Sequence, residues 1–171
     1  MSLGLFITFE GIDGCGKSTQ ARRLERRLEE EGNASLLLRE PGGTPISEDI
    51  RKVLLNPENS SMAPENEALL LAASRSQLLK EVIIPHIEKG TIILCDRYID
   101  STLAYQGYGR DLPQEWLRQI NRFAFELAIP DRTFLFDLPV DVALSRLGDR
   151  QRDRIEATGV NFLEKVRNGF L

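Results

Sequence analysis

The sequence contains little cysteine and little histidine. Among its 171 residues, Cys15 and Cys95 are the two cysteines and His86 is the single histidine. Two cysteines cannot form the dense disulfide framework of a small secreted domain, and no Cys/His spacing typical of a zinc site is present. We therefore expect reduced cysteines and a cytoplasmic protein.

Long hydrophobic runs and an excess of positive charge are also missing. No apolar run approaches the ~20 residues of a membrane span, and the run Leu3–Phe9 is too short for a secretory leader. The formal net charge is −4, whereas nucleic-acid binders usually carry a basic surface. We expect neither a membrane nor a nucleic acid among the partners, although a local basic cluster can still bind a nucleotide.

Short apolar runs alternate with amphipathic segments along a chain whose length fits one domain over residues 1–171. The apolar runs predict strands at Leu5–Glu10, Ser35–Leu38, Thr91–Cys95 and Phe134–Phe136. The amphipathic segments predict helices at Ser18–Glu31, Pro45 to about Leu55, Pro64 to about Ile84 (ended or bent by Pro85), Trp116–Leu127 and Val160 to Leu171. This alternation indicates an α/β fold, a parallel β-sheet with helices on both faces.

A glycine-rich loop joins the first predicted strand to the first predicted helix. It matches the phosphate-binding pattern G-x-x-x-x-G-K-[ST], and its candidate ATP-binding residues are Gly11, Asp13, Gly14, Cys15, Gly16, Lys17, Ser18 and Thr19. Glycines let backbone N–H groups turn toward phosphates, and the helix N-terminus adds partial positive charge. We expect Lys17 to reach the β- and γ-phosphates and the Ser18 hydroxyl to ligate Mg²⁺.

A phosphate-binding loop alone establishes only that a nucleotide binds. A switch GTPase would normally carry an Asn-Lys-x-Asp guanine reader, which this sequence lacks, and a large ATPase would need more chain. The remaining class is a kinase for a small acceptor. If the acceptor is itself a phosphate, such an enzyme needs a second anion site facing the first.

Arginines at the ends of predicted strands supply candidates for that second site. Arg39 follows the second strand, and Asp96-Arg97 follows the third, at the sheet edge where open α/β folds bind ligands. Arg75 lies within a helix, and its planar fork suits a phosphate or a base edge. From spacing alone, Asp96-Arg97 can equally be a strand-end ion pair of little consequence.

Six segments resemble those of bacterial thymidylate kinases. They occur in the family's order across nearly the whole chain, at Phe9–Gly14, Arg39–Thr44, Ala73–Leu78, Asp96–Ser101, Ala104–Gly107 and Asp153–Glu156. The resemblance implies a P-loop kinase fold that transfers the γ-phosphoryl group of ATP to dTMP. It also implies a homodimer packed through the long helices, although core burial explains their apolar runs equally well.

The resemblance implies roles for individual residues. Asp13 would meet the 3′-hydroxyl of the acceptor deoxyribose, Arg39 and Arg97 would hold the acceptor phosphate, and Asp96 would organise Mg²⁺. Around the base and sugar, the implied binding residues are Leu71, Arg75, Thr102, Tyr105 and Gln106. Of these, Arg75 would donate to a thymine carbonyl. Ser101 belongs to the motif without an assigned contact.

The sequence departs from the family pattern in three places. Leu71 stands where an aromatic residue usually stacks on thymine, so that only an apolar contact is expected there. Gly14 stands where some members carry an arginine in the P-loop. The family normally continues through a fifth strand and a final helix, which this chain, ending at Leu171, is expected to lack.

An arginine-rich segment is the candidate source of the charge that Gly14 cannot supply. Residues 147–158 carry arginines at alternate positions and no apolar stripe, which is typical of a mobile lid over ATP and also of a solvated charge run. Arg150 and Arg152 are the candidates for contacting the transferring phosphoryl group, together with Lys17, Asp96 and Arg97. Arg154 is expected to hold the lid or the nucleotide.

Two alternatives remain open at this point. One is a kinase for another nucleoside monophosphate, and the other is a regulator that kept the fold and lost turnover. A regulator would require a broken catalytic position, whereas Lys17, Ser18, Asp96 and Arg97 are all present.

Overall fold

A parallel sheet forms the centre of the protein. The computed structural model describes residues 4–148 and 153–171. Its strands are β1 Phe6–Glu10, β2 Ser35–Arg39, β3 Ile92–Asp96 and β4 Arg132–Leu135. Their order is β2-β3-β1-β4, and every neighbouring pair is parallel. All four carboxyl ends therefore lie at one edge, which confirms the predicted sheet.

Helices connect the strands. In the described residues they are α1 Lys17–Glu30, α2 Pro45–Leu55, α3 Pro64–Leu78, α4 Ile84–Glu88, α5 Ile99–Thr102, α6 Gln114–Ile120, α7 Arg122–Leu127, α8 Val140–Leu147 and α9 Val160–Phe170. Two π-helical stretches, Leu79–Ile83 and Leu103–Gly109, continue α3 and α5. None of the helices in these residues is both long enough and apolar enough to cross a membrane.

Side chains of the central strands alternate between two packed faces. Phe9 and Leu94 pack against Ala21 of α1. Phe6 and Ile93 belong to a cluster on the opposite face, with residues of α3, the π stretch after it, and α7. Because successive strand residues point to opposite faces, the central strands β1 and β3 are covered by helices on both faces, whereas all residues of the edge strand β4 are exposed.

The predicted helix from Pro64 to Ile84 extends further than expected. The helical path continues through the π stretch Leu79–Ile83 into α4 and ends at Glu88. Pro85 lies in the first turn of α4. Proline is tolerated in the first turn of an α-helix, so Pro85 does not end the helical path here.

The apolar stripe Trp116–Leu127 forms two helices, so the single helix predicted there is wrong. Asn121 lies between α6 and α7. Its side-chain amide donates to the carbonyl of Leu117 at 2.9 Å, and its Oδ1 accepts from Arg75 at 2.6 Å. An asparagine that bonds the preceding turn in this way competes with helix continuation. The fourth strand also begins earlier than predicted, at Arg132, in register with Ile7 of β1.

Candidate active site

The glycine-rich loop lies between β1 and α1, as its sequence context predicts. Gly14 adopts φ 80°, in the left-handed region that glycine tolerates best. A Cβ at this position would collide with the carbonyl oxygen of Ala143 in α8. The loop therefore has no room for a side chain at Gly14, and an arginine there would require the loop to move.

Lys17 lies across the loop, almost entirely buried. Its Nζ donates to the carbonyl of Ile12 at 2.9 Å. Burial and the charge of Arg97 lower the pKa of Lys17, while the carboxylate of Asp13 opposes that shift. The ammonium also donates to Cys15 Sγ at 3.7 Å. Among the described residues it has no carboxylate within ion-pair distance, so an anion would be its strongest partner.

Ser18 and Asp96 meet at the carboxyl edge of the sheet. The hydroxyl of Ser18 donates to a carboxylate oxygen of Asp96, which is the last residue of β3. Hydroxyl and carboxylate oxygens are the hard donors that Mg²⁺ prefers, so this pair fits the cation that the resemblance implies.

Arg97 is the centre of the charged contacts. Its Nη2 donates to Asp13 Oδ1 at 2.7 Å, and its Nη1 donates to the carbonyl of Gly11 at 2.9 Å. The guanidinium carbon lies 4.8 Å from the ring centroid of Tyr105. Burial would raise the pKa of Asp13, but the charges of Arg97 and Lys17 outweigh it and lower that pKa to about 2. Asp13 is therefore ionised throughout the physiological range.

Two clefts meet at this charged centre. The P-loop cleft is lined by residues that include Lys17, Ser18, Arg39 and Asp96. The α3 cleft is lined by residues that include Leu71, Arg75, Thr102, Tyr105 and Gln106. The walls of both clefts share Asp13, Glu40, Arg51 and Arg97. The structure thus brings the predicted residues named here into two compartments with a common wall. The predicted loop residues Gly11, Gly14, Cys15, Gly16 and Thr19 do not line either cleft.

Arg51 is a cleft residue that sequence reasoning missed. It lies on α2, and its Nη1 donates to the carbonyl of Pro41 at 2.8 Å. Burial and the nearby charge of Arg39 lower the pKa of Arg51. The sequence did contain a signal for Arg51. It lies four residues after Ser47 and three before Leu54, the buried residues of α2, and this spacing places all three on one face of the helix. A charged residue on the buried face of a helix needs a polar partner or a ligand.

Arg39 lines the P-loop cleft but makes a different contact from Arg97. Its Nη2 pairs with Glu48 of α2 at 3.0 Å, and about half of its side chain is exposed. Of the two arginines that the resemblance assigns to the acceptor phosphate, Arg97 is fixed by several buried contacts. Arg39 is held by one partly exposed ion pair.

Arg75 is buried in the wall of the α3 cleft. Its Nε donates to Glu40 at 2.8 Å and its Nη1 to Asn121 at 2.6 Å. Its Nη2 donates to Thr102 at 3.0 Å and to the carbonyl of Tyr98 at 3.1 Å. A guanidinium has five donors. Within residues 4–148 and 153–171, one Nη1 hydrogen has no assigned acceptor. The sequence did not single out Glu40 or Asn121 as the partners that orient this arginine.

Glu67 links the α3 cleft to the predicted lid. Its carboxylate accepts from Gln106 at 2.8 Å and from Arg110 at 3.1 Å, and it pairs with Arg154 at 2.7 Å. The Nε of Arg154 also donates to the carbonyl of Leu54 in α2. Arg154 thus fastens the end of the predicted lid to the fold. The two other lid candidates, Arg150 and Arg152, lie outside the described residues.

We predict that Glu67→Gln lowers the free energy of unfolding by about 3–5 kcal/mol, because it leaves two largely buried arginines without their carboxylate. Burial alone would raise the pKa of Glu67, but hydrogen bonds from Arg110 and Gln106 and the arginine charges hold that pKa below its usual value. Urea unfolding near neutral pH measures the loss. The matched control is Glu126→Gln, which removes an exposed pair with Arg122 and should cost under ~1 kcal/mol. Equal losses in the two variants would contradict the prediction.

The parallel sheet, the loop at its carboxyl edge and the second arginine-lined cleft together define a P-loop kinase for a small phosphorylated acceptor. Comparison with known proteins specifies the family. Residues 9–171 match the family model described as Thymidylate kinase. The chain therefore belongs to the thymidylate kinase family.

Individual relatives match nearly the whole chain. It is 52% identical over 169 residues to the Thymidylate kinase of Desulforudis audaxviator, covering 98% of this chain and 76% of the relative. It is 47% identical over 176 residues to that of Geobacter sulfurreducens, covering 99% and 83%. It is 49% identical over 169 residues to that of Ectopseudomonas mendocina, covering 98% and 80%.

Proposed function

We propose that this chain transfers the γ-phosphoryl group of ATP to dTMP, giving dTDP and ADP. The observation that carries the proposal is the wall shared by the two clefts, with Asp13, Arg51 and Arg97 between the P-loop and the α3 cleft. Direct phosphoryl transfer requires the donor and acceptor phosphates to meet in line, so two anion sites must open onto each other. Membership of the thymidylate kinase family supports dTMP as the acceptor.

The P-loop cleft would hold ATP. Its loop N–H groups and the Lys17 ammonium would neutralise the β- and γ-phosphates. Ser18 and Asp96 would hold Mg²⁺, which supplies positive charge for the phosphate oxygens when it is bound. The close contact between the Ser18 hydroxyl and Asp96 supports this placement, because it brings two oxygen donors together at the start of α1.

The acceptor phosphate and sugar would bind at the shared wall. Arg97 would hold the phosphate, with Arg51 and Arg39 adding charge. Among the described residues, Nε of Arg97 has no assigned acceptor and remains available to a ligand. The ionised carboxylate of Asp13 would accept a hydrogen bond from the 3′-hydroxyl. The hydroxyl of Tyr105, 3.2 Å from Asp13 Oδ2, would fix that carboxylate beside the sugar.

The base would lie in the α3 cleft. Leu71 would give it an apolar contact, and Thr102 and Gln106 would line its edges. The unassigned Nη1 hydrogen of Arg75 would donate to a thymine carbonyl. Because Glu40 and Asn121 fix the guanidinium, the donor cannot turn away from a base that presents another donor.

This arrangement predicts discrimination against cytosine. The pyrimidine position that carries a carbonyl in thymine carries an amino group in cytosine, and two facing donors leave both unpaired. We expect dTMP and dUMP to be accepted and dCMP to have a kcat/KM at least about 10²-fold lower. Steady-state ADP release with the three acceptors measures this ratio. Equal kcat/KM values for dTMP and dCMP would contradict the role of Arg75, while turnover of dTMP would still support the proposed reaction.

We also propose that the protein forms a homodimer and is located in the cytoplasm. Leu69 on α3 is about half exposed (47%), whereas Ile83 in the neighbouring π stretch is fully buried in the core. The long helices carry two apolar runs that were candidates for a dimer surface, Leu69–Ala73 and Val82–Ile84, and the exposed side chain of Leu69 favours the first of them.

A further inference from the structure

Glu10 is a buried carboxylate directly behind the charged centre. It is the last residue of β1 and is 1% exposed. Its Oε1 accepts the backbone N–H of Tyr98 at 2.7 Å, and its Oε2 accepts the Ser101 hydroxyl at 2.5 Å. Nothing in the proposed reaction uses this carboxylate directly. Its two partners are both next to Arg97, however. Tyr98 follows Arg97 in the chain, and the Ser101 side chain is hydrogen-bonded to the Arg97 guanidinium.

The backbone at Arg97 needs support that Glu10 provides. Arg97 adopts φ 76°, in the left-handed region that non-glycine residues rarely occupy. Its own N–H donates to the carbonyl of Phe9 at 3.0 Å, and the next N–H, that of Tyr98, donates to Glu10. Both hydrogen bonds anchor the turn to the end of β1. Glu10 therefore helps to hold the conformation that points the Arg97 side chain toward the clefts.

Ser101 connects the same carboxylate to the guanidinium. A serine hydroxyl has one hydrogen to donate and lone pairs that accept. Here the hydrogen goes to Glu10, so the lone pairs of Oγ face Arg97 and accept from its Nη1 at 3.0 Å. The other end of the guanidinium is held by Asp13. The Ser101 contact therefore restrains Nη1 while Asp13 restrains Nη2.

We propose that Glu10 and Ser101 are positioning residues that hold Arg97 in the orientation in which it binds the acceptor phosphate. The inference rests on the proposed function, because that function gives Arg97 its ligand. Burial raises the pKa of Glu10 to about 7, although Ser101 and Arg97 oppose the shift. Glu10 lines neither of the two clefts, and Ser101 lines the α3 cleft next to Arg97 but not the P-loop cleft. Because both residues act on the arginine that holds the acceptor phosphate, removing either should loosen the binding of dTMP and leave ATP binding nearly unchanged.

The test measures dissociation constants for dTMP and for ATP by calorimetry, together with the melting temperature. Ser101→Ala should weaken dTMP binding about tenfold, because it removes a hydrogen bond to a charged group, and should change ATP binding less than about twofold. Glu10→Gln should act in the same direction. The matched control is Thr8→Val, which removes another buried hydroxyl of the same sheet, 2.9 Å from Thr133, and should leave both affinities unchanged.

A double-mutant cycle separates positioning from general stability. In the background of Arg97→Ala, Ser101→Ala should have no further effect on dTMP binding, because the side chain that it positions is gone. The same loss in both backgrounds, or equal weakening of dTMP and ATP binding, would overturn the inference. If the wild-type protein binds dTMP without phosphorylating it, the proposed function is overturned. The dissociation constants of the variants for dTMP and ATP would still test whether Glu10 and Ser101 position Arg97. Wild-type protein that does not bind dTMP would overturn both.

Discussion

Replacing Lys17 by alanine is expected to lower kcat by about 10²–10³-fold while the chain remains folded. The ammonium lies in the P-loop and donates to the carbonyl of Ile12. Its main electrostatic partner should be the phosphoryl group during transfer. Asp13 keeps its ion pair with Arg97 in the variant, so no buried carboxylate loses its only cation. Coupled measurement of ADP release gives kcat, and the melting temperature reports the fold.

The control for this prediction is Lys52→Ala, because Lys52 is an exposed lysine of α2 whose ammonium pairs with Asp49. It should keep the wild-type rate. A Lys17→Ala variant that is folded and releases ADP at the wild-type rate would contradict the whole kinase assignment.

Removing Arg150 and Arg152 together is expected to lower kcat by about 10³–10⁵-fold, with a smaller effect on ATP affinity. Negative charge spreads over the γ-phosphate oxygens during transfer, and cations beyond Lys17 and Mg²⁺ must stabilise it. The P-loop cannot provide one, since a side chain at Gly14 would collide with Ala143 of α8. The arginine-rich segment that follows α8 is the source that the sequence predicts.

The single variants Arg150→Ala and Arg152→Ala show which of the two arginines acts, and Arg146→Ala is the control. Arg146 is an exposed residue of α8, close in sequence to the lid but before it. The control should keep its rate. Wild-type kcat in the double variant would rule out the lid as the source of the charge, and another basic residue near Gly14 would then be required.

Local patterns sufficed to predict the sheet and the phosphate-binding loop. The run of apolar residues ending at Glu10 and the glycines that follow it specify a strand, a turn and a helix start within about fifteen consecutive residues. The start of α2 could also be predicted from neighbouring residues. The side chain of Thr44 accepts a hydrogen bond from the N–H of Ser47 at 3.1 Å, and Pro45 begins the helix. Such signals lie within the same short segment whose structure they determine.

Contacts between distant segments were not predictable in the same way. Arg75 and Asn121 are 46 residues apart, yet their hydrogen bond orients the proposed base reader. The hydrogen bond between Asn121 and Leu117 accompanies the break between α6 and α7. Ser101 was part of a recognised motif, but its partner Glu10 lies 91 residues earlier. Periodicity describes one element at a time, so it cannot show which side chains meet across elements.

The most direct test of the account is ADP release from ATP and Mg²⁺ with and without dTMP, compared with dUMP, dCMP, dGMP and UMP as acceptors. We expect little release without an acceptor, because the two clefts must both be filled for transfer. We expect the highest kcat/KM for dTMP, and a poor reaction with UMP if Tyr105 lies under the sugar, the position that the family resemblance implies for it and in which its bulk disfavours a 2′-hydroxyl. ADP release at the same rate without dTMP, or a higher kcat/KM for dGMP than for dTMP, would contradict the assignment of this chain as a dTMP-phosphorylating enzyme.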